Sequence, residues 1–296
     1  MVDVSGAGAR EIGLDHLTLV DVSPPELVAV ADAVGFDSVG LRVHPARAGE
    51  QRWPVRTGSP MLLDTTARLR DSRVRVHSVE VLPLAAHTRV ADCESVLATG
   101  ARLGARFVGT FAEDPDTDRL ADTFAALTER ARDYGLRALL EPMTQSSVST
   151  VGHAQRVVAR SAGGGVLLDA LHLVRGGSWA AGHVLDRALV GYVQLSDGRL
   201  DGPGELDVRL PLPRRQPIPS TEVGVESVAA RLLPGEGELP LAELLAAVPA
   251  DTLVSVEAPA VRRVALVGAV NYARWARRAV DAVLTAPART WDRSRT

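Results

Sequence analysis

A chain of 296 residues with 46% hydrophobic and 23% charged side chains is long and apolar enough to bury one large α/β core. Its net charge of −3 gives no cationic footprint for nucleic acid, and its apolar runs are too short to span a bilayer. All 33 basic residues are arginine, which excludes Schiff-base catalysis, covalently held pyridoxal phosphate and a Walker phosphate loop, since each needs lysine.

In chain order, residues 1–11 are expected to form a loose leader. Residues 12–19 suit a strand. The stretch 24–34 suits a helix, opened by Ser23 as N-cap with prolines in its first turn and stopped by Gly35. Residues 38–43 suit a second strand, completing one βαβ repeat. Helices are then expected over 59–70, 89–103, 117–134, 150–160, around 179–186 and over 269–284. Strands are expected over 74–81, 106–111, 136–140, 166–168, 190–195 and 252–256. Cys93, the single cysteine, falls in one of the helices. It leaves no internal disulfide and, with no basic-then-apolar leader, fits a reducing cytoplasm. Eight strands alternating with helices predict a parallel sheet closed into a single (β/α)8 TIM barrel over 12–284. The first strand-to-helix turn, Val20-Asp21-Val22-Ser23, lacks the glycines of an open dinucleotide-binding sheet. Residues 198–240 are rich in Pro, Gly and Arg and show no clear helix. A segment this long, leaving the seventh strand at the active-site end, is expected to be a substrate loop or lid. From 285 the chain is polar, and 285–296 is expected to be a flexible tail.

Four apolar runs end in an oxygen-bearing side chain: Leu139-Leu140-Glu141, Leu167-Leu168-Asp169, Tyr192-Val193-Gln194 and Ser255-Val256-Glu257. Uniformly apolar strands are covered on both faces, as in a parallel sheet, and polar groups at their C-terminal tips face the ligand. Three carboxylates brought together would raise one another's pKa values, a cost that a divalent cation removes. Oxygen-only ligation favours a hard ion, Mg²⁺ or Mn²⁺. Helix capping or arginine pairing explains one such group but not four in register. His172, three residues after Asp169, can serve as a general base or as a hydrogen-bonded structural group. Arg42 at the second tip suits a carboxylate or phosphate, or a surface ion pair. Glu80 is expected to face the site from the third tip. His77, three positions earlier, is expected on the opposite face. Trp53 and Trp179 are candidates for the pocket wall.

These tips resemble the xylose-isomerase-like TIM barrels, a superfamily of sugar isomerases, ketose 3-epimerases, inosose dehydratases, 3-dehydroshikimate dehydratases and endonuclease IV. The resemblance rests on Leu140-Glu141-Pro142, Leu168-Asp169-Ala170-Leu171-His172, Val193-Gln194-Leu195-Ser196-Asp197 and Ser255-Val256-Glu257. It implies that Glu141, Asp169, Gln194 and Glu257 hold one divalent ion and that the reaction removes a proton beside a carbonyl. Epimerases of this kind use the two glutamates, here Glu141 and Glu257. The dehydratases rely more on the histidine, here His172. Gln194 stands where the epimerases usually carry histidine and resembles the 3-dehydroshikimate dehydratases, as does Pro234-Gly235-Glu236-Gly237. In that branch Arg231 is implied to hold a substrate carboxylate or hydroxyl. The expectation is therefore a cytoplasmic metal-dependent isomerase or epimerase of a small polyhydroxylated keto compound. A dehydratase is the first alternative and a non-catalytic ligand-binding barrel the second. Neither nucleic acid nor membrane is an expected partner, and pairing into a homodimer is left open. The other histidines lack the spacing of the endonuclease branch's multi-zinc site.

Overall fold

The computed structural model describes residues 10–179, 185–204, 206–208 and 210–286. Eight parallel strands close into a barrel in sequence order, with the first paired to the last. They are β1 (Ile12–Asp15), β2 (Ser38–Arg42), β3 (Arg75–Leu84), β4 (Phe107–Ala112), β5 (Arg137–Glu141), β6 (Gly165–Asp169), β7 (Val190–Leu195) and β8 (Val254–Val256). The helices are α1 (Pro24–Val34), α2 (Pro60–Arg70), α3 (Glu94–Leu103), α4 (Thr117–Asp133), α5 (Val151–Val158), α6 (Ala170–Arg175), α7 (Glu222–Ala229), α8 (Leu241–Ala247), α9 (Val261–Val267) and α10 (Ala269–Thr285). None of them, among the described residues, is long and apolar enough to cross a membrane. The expected (β/α)8 barrel is thus the observed fold.

Strand alternation sets the site. Leu139, Leu167, Tyr192 and Leu253 form an apolar cluster separate from the main core. Each lies an even number of positions before a polar tip residue (Glu141, Asp169, Gln194 and Glu257 respectively), so it shares that residue's face deeper in the barrel. The outer faces, such as Leu140, Leu168, Val193 and Val256, pack into the large core under the helices.

Several boundaries differ from expectation. The first strand stops at Asp15, and His16–Leu19 is a 3-10 turn. The third runs to Leu84. The helix after β6 begins at once, with Asp169 as N-cap accepting from the His172 amide at 2.9 Å. Residues 180–184 of the helix expected near 179–186 lie outside the described residues, and 185–186 are not helical. The segment 198–240 is not helix-free, because α7 lies inside it. Two further unforeseen helices, α8 and α9, flank β8. Residues 1–9 and 287–296 of the expected leader and tail lie outside the described residues. The leader's last two residues are anchored. Arg10 donates to the Leu245 carbonyl at 3.1 Å, and Glu11 pairs with Arg106 at 2.7 Å. Thr285 still belongs to α10.

Candidate functional site

Strands β5 and β6 and the residue after β8 bring Glu141, Asp169 and Glu257 together, with ligand oxygens within 4.8 Å of one another. Asp169 and Gln194 are direct neighbours in the β6–β7 ladder. Into this acidic group reaches Arg231, buried at 2% exposure, from the segment after α7. Its Nη1 donates to Asp169 at 2.6 Å and its Nη2 pairs with Glu257 at 3.0 Å. Its Nε donates to the Ser227 carbonyl at 2.7 Å. Expected as a substrate-binding group, Arg231 lines the cleft but is also the counter-charge of two carboxylates.

Burial sets the protonation states. Desolvation, then the charges of Glu257 and Asp169, push Glu141 well above the ordinary carboxylate range. Desolvation lifts Glu257 to about 8 against the pull of Arg231. Burial would also raise Asp169, but Arg231 and His172 outweigh it and hold that carboxyl low. Desolvation depresses His172 to about 4, so its ring is neutral near pH 7. The Thr144 amide approaches Nδ1 at 3.4 Å and the Thr144 hydroxyl at 3.1 Å. An N–H aimed at Nδ1 assigns the ring proton to Nε2. That nitrogen lies 3.3 Å from Ser227 Oγ and 3.9 Å from Glu141.

A second buried group lies inside β1–β3. Asp15, His77 and Glu80 also bring ligand atoms within 4.8 Å of one another. His77 Nε2 is 2.8 Å from Asp15 Oδ1, and its Nδ1 is 3.0 Å from Ser38 Oγ. Ser78 donates to Glu80 at 3.2 Å, and the Ser255 hydroxyl donates to Asp15. Desolvation raises Asp15 to about 6 and Glu80 to about 8, and depresses His77 to about 4. His77 does not point away from Glu80 as alternation predicts. The β2–β3 register slips between Val39 and Gly40, which oppose Val76 and Ser78. His77 is the extra residue of that bulge, and the bulge turns it inward. Sequence reasoning missed Asp15 altogether. Its signal was present, since the apolar run 12–14 also ends in an acid.

Gly40 makes this packing possible. A Cβ there would lie 2.2 Å from Asp15 Oδ1 and 2.3 Å from Glu80 Oε1. Gly40→Ala should therefore destabilise the fold by about 1–3 kcal/mol, as overpacked cores do. A wild-type denaturant midpoint in that variant would contradict the packing.

Gln194 joins the two groups. Its Nε2 donates to Asp15 at 3.0 Å and to Glu257 at 3.2 Å. Its Oε1 is buried without a hydrogen-bond partner among the described residues. An orphaned buried acceptor beside three carboxylates fits a cation, which satisfies it where no donor does.

The tips open into a cleft. Arg42, Glu80, Glu141, His172, Gln194 and Glu257 line it, and residues of the 216–231 stretch close the other side. Asp197, just past β7, fastens the end of this segment. It accepts from the amides of Gly198, Gly235 and Leu239, each at 2.9 Å. A Cβ on Gly237 would lie 2.5 Å from Asp197 Oδ1, so the Pro-Gly-Glu-Gly stretch folds closely around this carboxylate. Trp53 is not among the residues lining this cleft; it stacks against His16 and beneath Arg214. Trp179 packs on the core.

A closed eight-stranded barrel with polar, mostly acidic groups at successive C-terminal tips defines a class, the TIM barrels with a tip-borne polar site. The sequence matches the family model of the xylose isomerase-like TIM barrels over residues 28–283, and the chain belongs to that family. Solved structures share the fold. The IolI protein with a bound zinc atom aligns with a TM-score of 0.69 at 17% identity, covering 93% of this chain and 98% of its own. The probable 3-DHS dehydratase AsbF of Bacillus anthracis aligns at 0.65 and 14% identity, covering 92% and 98%. D-allulose 3-epimerase of Methylomonas sp. in complex with D-allulose aligns at 0.56 and 15% identity, covering 84% of each chain. No curated protein sequence matches.

Proposed function

We propose that this chain is a divalent-metal-dependent isomerase or epimerase of a small sugar-like keto compound, working through an enediolate. Glu141, Asp169, Gln194 and Glu257 would hold one hard ion, Mg²⁺ or Mn²⁺. The carrying observation is the orphaned Gln194 Oε1 beside three converging carboxylates. When bound, the ion supplies Lewis-acid polarisation of the substrate carbonyl. Glu141 or Glu257 takes the proton from the carbon beside that carbonyl. Return of the proton at the neighbouring carbon isomerises, and return to the opposite face epimerises. Neutral His172, with its proton on Nε2, donates a hydrogen bond to a substrate oxygen. Arg231, Arg42 and Glu80 bind the substrate's polar groups from the cleft walls.

Gln194 and the Pro-Gly-Glu-Gly loop around Asp197 favour a second reading, a dehydratase. There the glutamate that has taken the proton beside the carbonyl hands it to a hydroxyl two carbons from the carbonyl, which leaves as water while neutral His172 Nε2–H hydrogen-bonds the departing oxygen. Metal analysis followed by solvent-deuterium exchange with candidate ketoses tests the first reading. Stoichiometric Mg²⁺ or Mn²⁺ and deuterium beside the carbonyl are expected. Protein that retains no divalent ion refutes both readings, and an aromatic absorbance from 3-dehydroshikimate selects the second.

The pH dependence of loading follows from the raised carboxyls. Glu257 titrates at about 8 in the metal-free protein, so an ion must displace its proton below that pH. Mn²⁺ affinity should rise up to about tenfold per pH unit per displaced proton between pH 6 and 8. A carboxyl raised on folding stabilises most below its unfolded value and loses that contribution as pH rises through the folded one. Metal-free protein should thus lose stability over the same interval in which it gains Mn²⁺ affinity. Calorimetric titrations at pH 6, 7 and 8 with a flat affinity would refute this.

A further inference from the structure

Two residues of the cleft wall, Arg42 and Gln216, carry buried polar atoms without partners among the described residues. Arg42 ends β2 with its Nη1 3.3 Å from Glu50. Its Nε is buried and donates to nothing among the described residues. Gln216, from the long segment after β7, is only 8% exposed, and neither its Oε1 nor its Nε2 has a partner there. Both residues line the same cleft as the carboxylates.

The placement of Gln216 is fixed from nearby. Two residues earlier, the Arg214 guanidinium lies 3.6 Å over the Trp53 ring. Arg214 donates to the Arg52 carbonyl at 3.0 Å, and its own carbonyl accepts from the Gln51 amide at 2.7 Å. The chain around 51–53 is continuous with Glu50, the partner of Arg42. The long segment and the loop after β2 are therefore clasped together with their unmet groups inside the cleft.

We infer that Arg42 and Gln216 form a subsite for the carboxylate of a polyhydroxy acid, which makes the substrate a keto acid with hydroxyl groups rather than a neutral sugar. This rests on the cleft being the substrate site proposed above. Arg42 contributes a positive charge and a donor, and Gln216 contributes a second donor and an acceptor. A carboxylate takes both donors, and its adjacent hydroxyl donates to Gln216 Oε1. A guanidinium edge matches a carboxylate's planar fork and charge better than a lone hydroxyl. The exposed Arg47 on the same cleft adds a further positive charge.

The matched pair gluconate and glucitol, one chain with and without the carboxylate, tests this by calorimetry on protein dialysed against Mn²⁺. Gluconate is expected to bind at least about tenfold more tightly than glucitol. Arg42→Met should erase that preference. Gln216→Leu, on a loop, should weaken gluconate several-fold with an unaltered melting curve, and it carries the test if the Arg42 variant fails to fold. Equal binding of the two ligands, binding of neither, or a preference that survives both substitutions overturns the subsite. If Mn²⁺ is retained and the preference is missing, this inference alone falls. If Mn²⁺ is not retained and the preference stands, the metal reading falls and the acid subsite is supported.

Discussion

Glu257→Gln is expected to abolish the stabilisation that Mn²⁺ confers and to cut turnover by at least about 10³-fold. Two losses combine. A positioned proton-transfer group contributes roughly 10² to 10⁴ in rate, and the carboxylate is also one of three convergent oxygen donors. The substitution is nearly isosteric, and in metal-free protein it copies the protonated acid that desolvation favours, since Glu257 titrates at about 8. The metal-free fold should therefore melt close to wild type. Wild-type protein at a hundredfold excess of Mn²⁺ over its dissociation constant gains about 2.7 kcal/mol by mass action, and the variant should gain almost none. Paired calorimetric scans with and without Mn²⁺ read this directly. A variant stabilised by Mn²⁺ as strongly as wild type would remove Glu257 from the ligand set.

The sequence made one half of the barrel mouth legible and hid the other, for definite physical reasons. Strands buried on both faces are apolar until they reach the ligand end, so Glu141, Asp169, Gln194 and Glu257 stand out at the tips of successive runs. At β1 the apolar run continues through the 3-10 turn His16–Leu19, which disguises Asp15 as an interior residue. At β3 strict alternation assigns His77 to the wrong face, because a bulge depends on the neighbouring strand's register and not on local pattern. The helix α7 escaped notice because part of what holds it is polar. Glu226 within it makes a buried ion pair with Arg175 at 2.8 Å, a tie that apolar periodicity does not record. Arg231 and Gln216 come from irregular chain, where spacing carries little information about direction. Only the assembled barrel shows which carboxylates the arginine meets and that the amide meets no partner among the described residues.

Arg231→Met should be the most damaging change to stability, lowering the metal-free protein by about 3–5 kcal/mol at neutral pH, the usual cost of removing one partner from a buried ion pair. Asp169 is fully buried, and Arg231 approaches it at 2.6 Å. That charge is what keeps the Asp169 carboxyl low against burial. A depressed carboxyl stabilises above its unfolded value and loses that contribution as pH falls through the folded one. Without Arg231 burial prevails, the carboxyl rises, and the sign reverses. The variant should thus lie furthest below wild type near pH 7 and recover part of the gap toward pH 5, where Asp169 takes up a proton. Adding Asp169→Asn removes the stranded charge, so the double variant should be more stable than Arg231→Met alone at pH 7. Urea unfolding of the four proteins at both pH values gives the coupling energy. If Arg231→Met is equally destabilised at pH 5 and 7 and Asp169→Asn restores nothing, the arginine acts by packing alone and the charge balance described for this site is wrong.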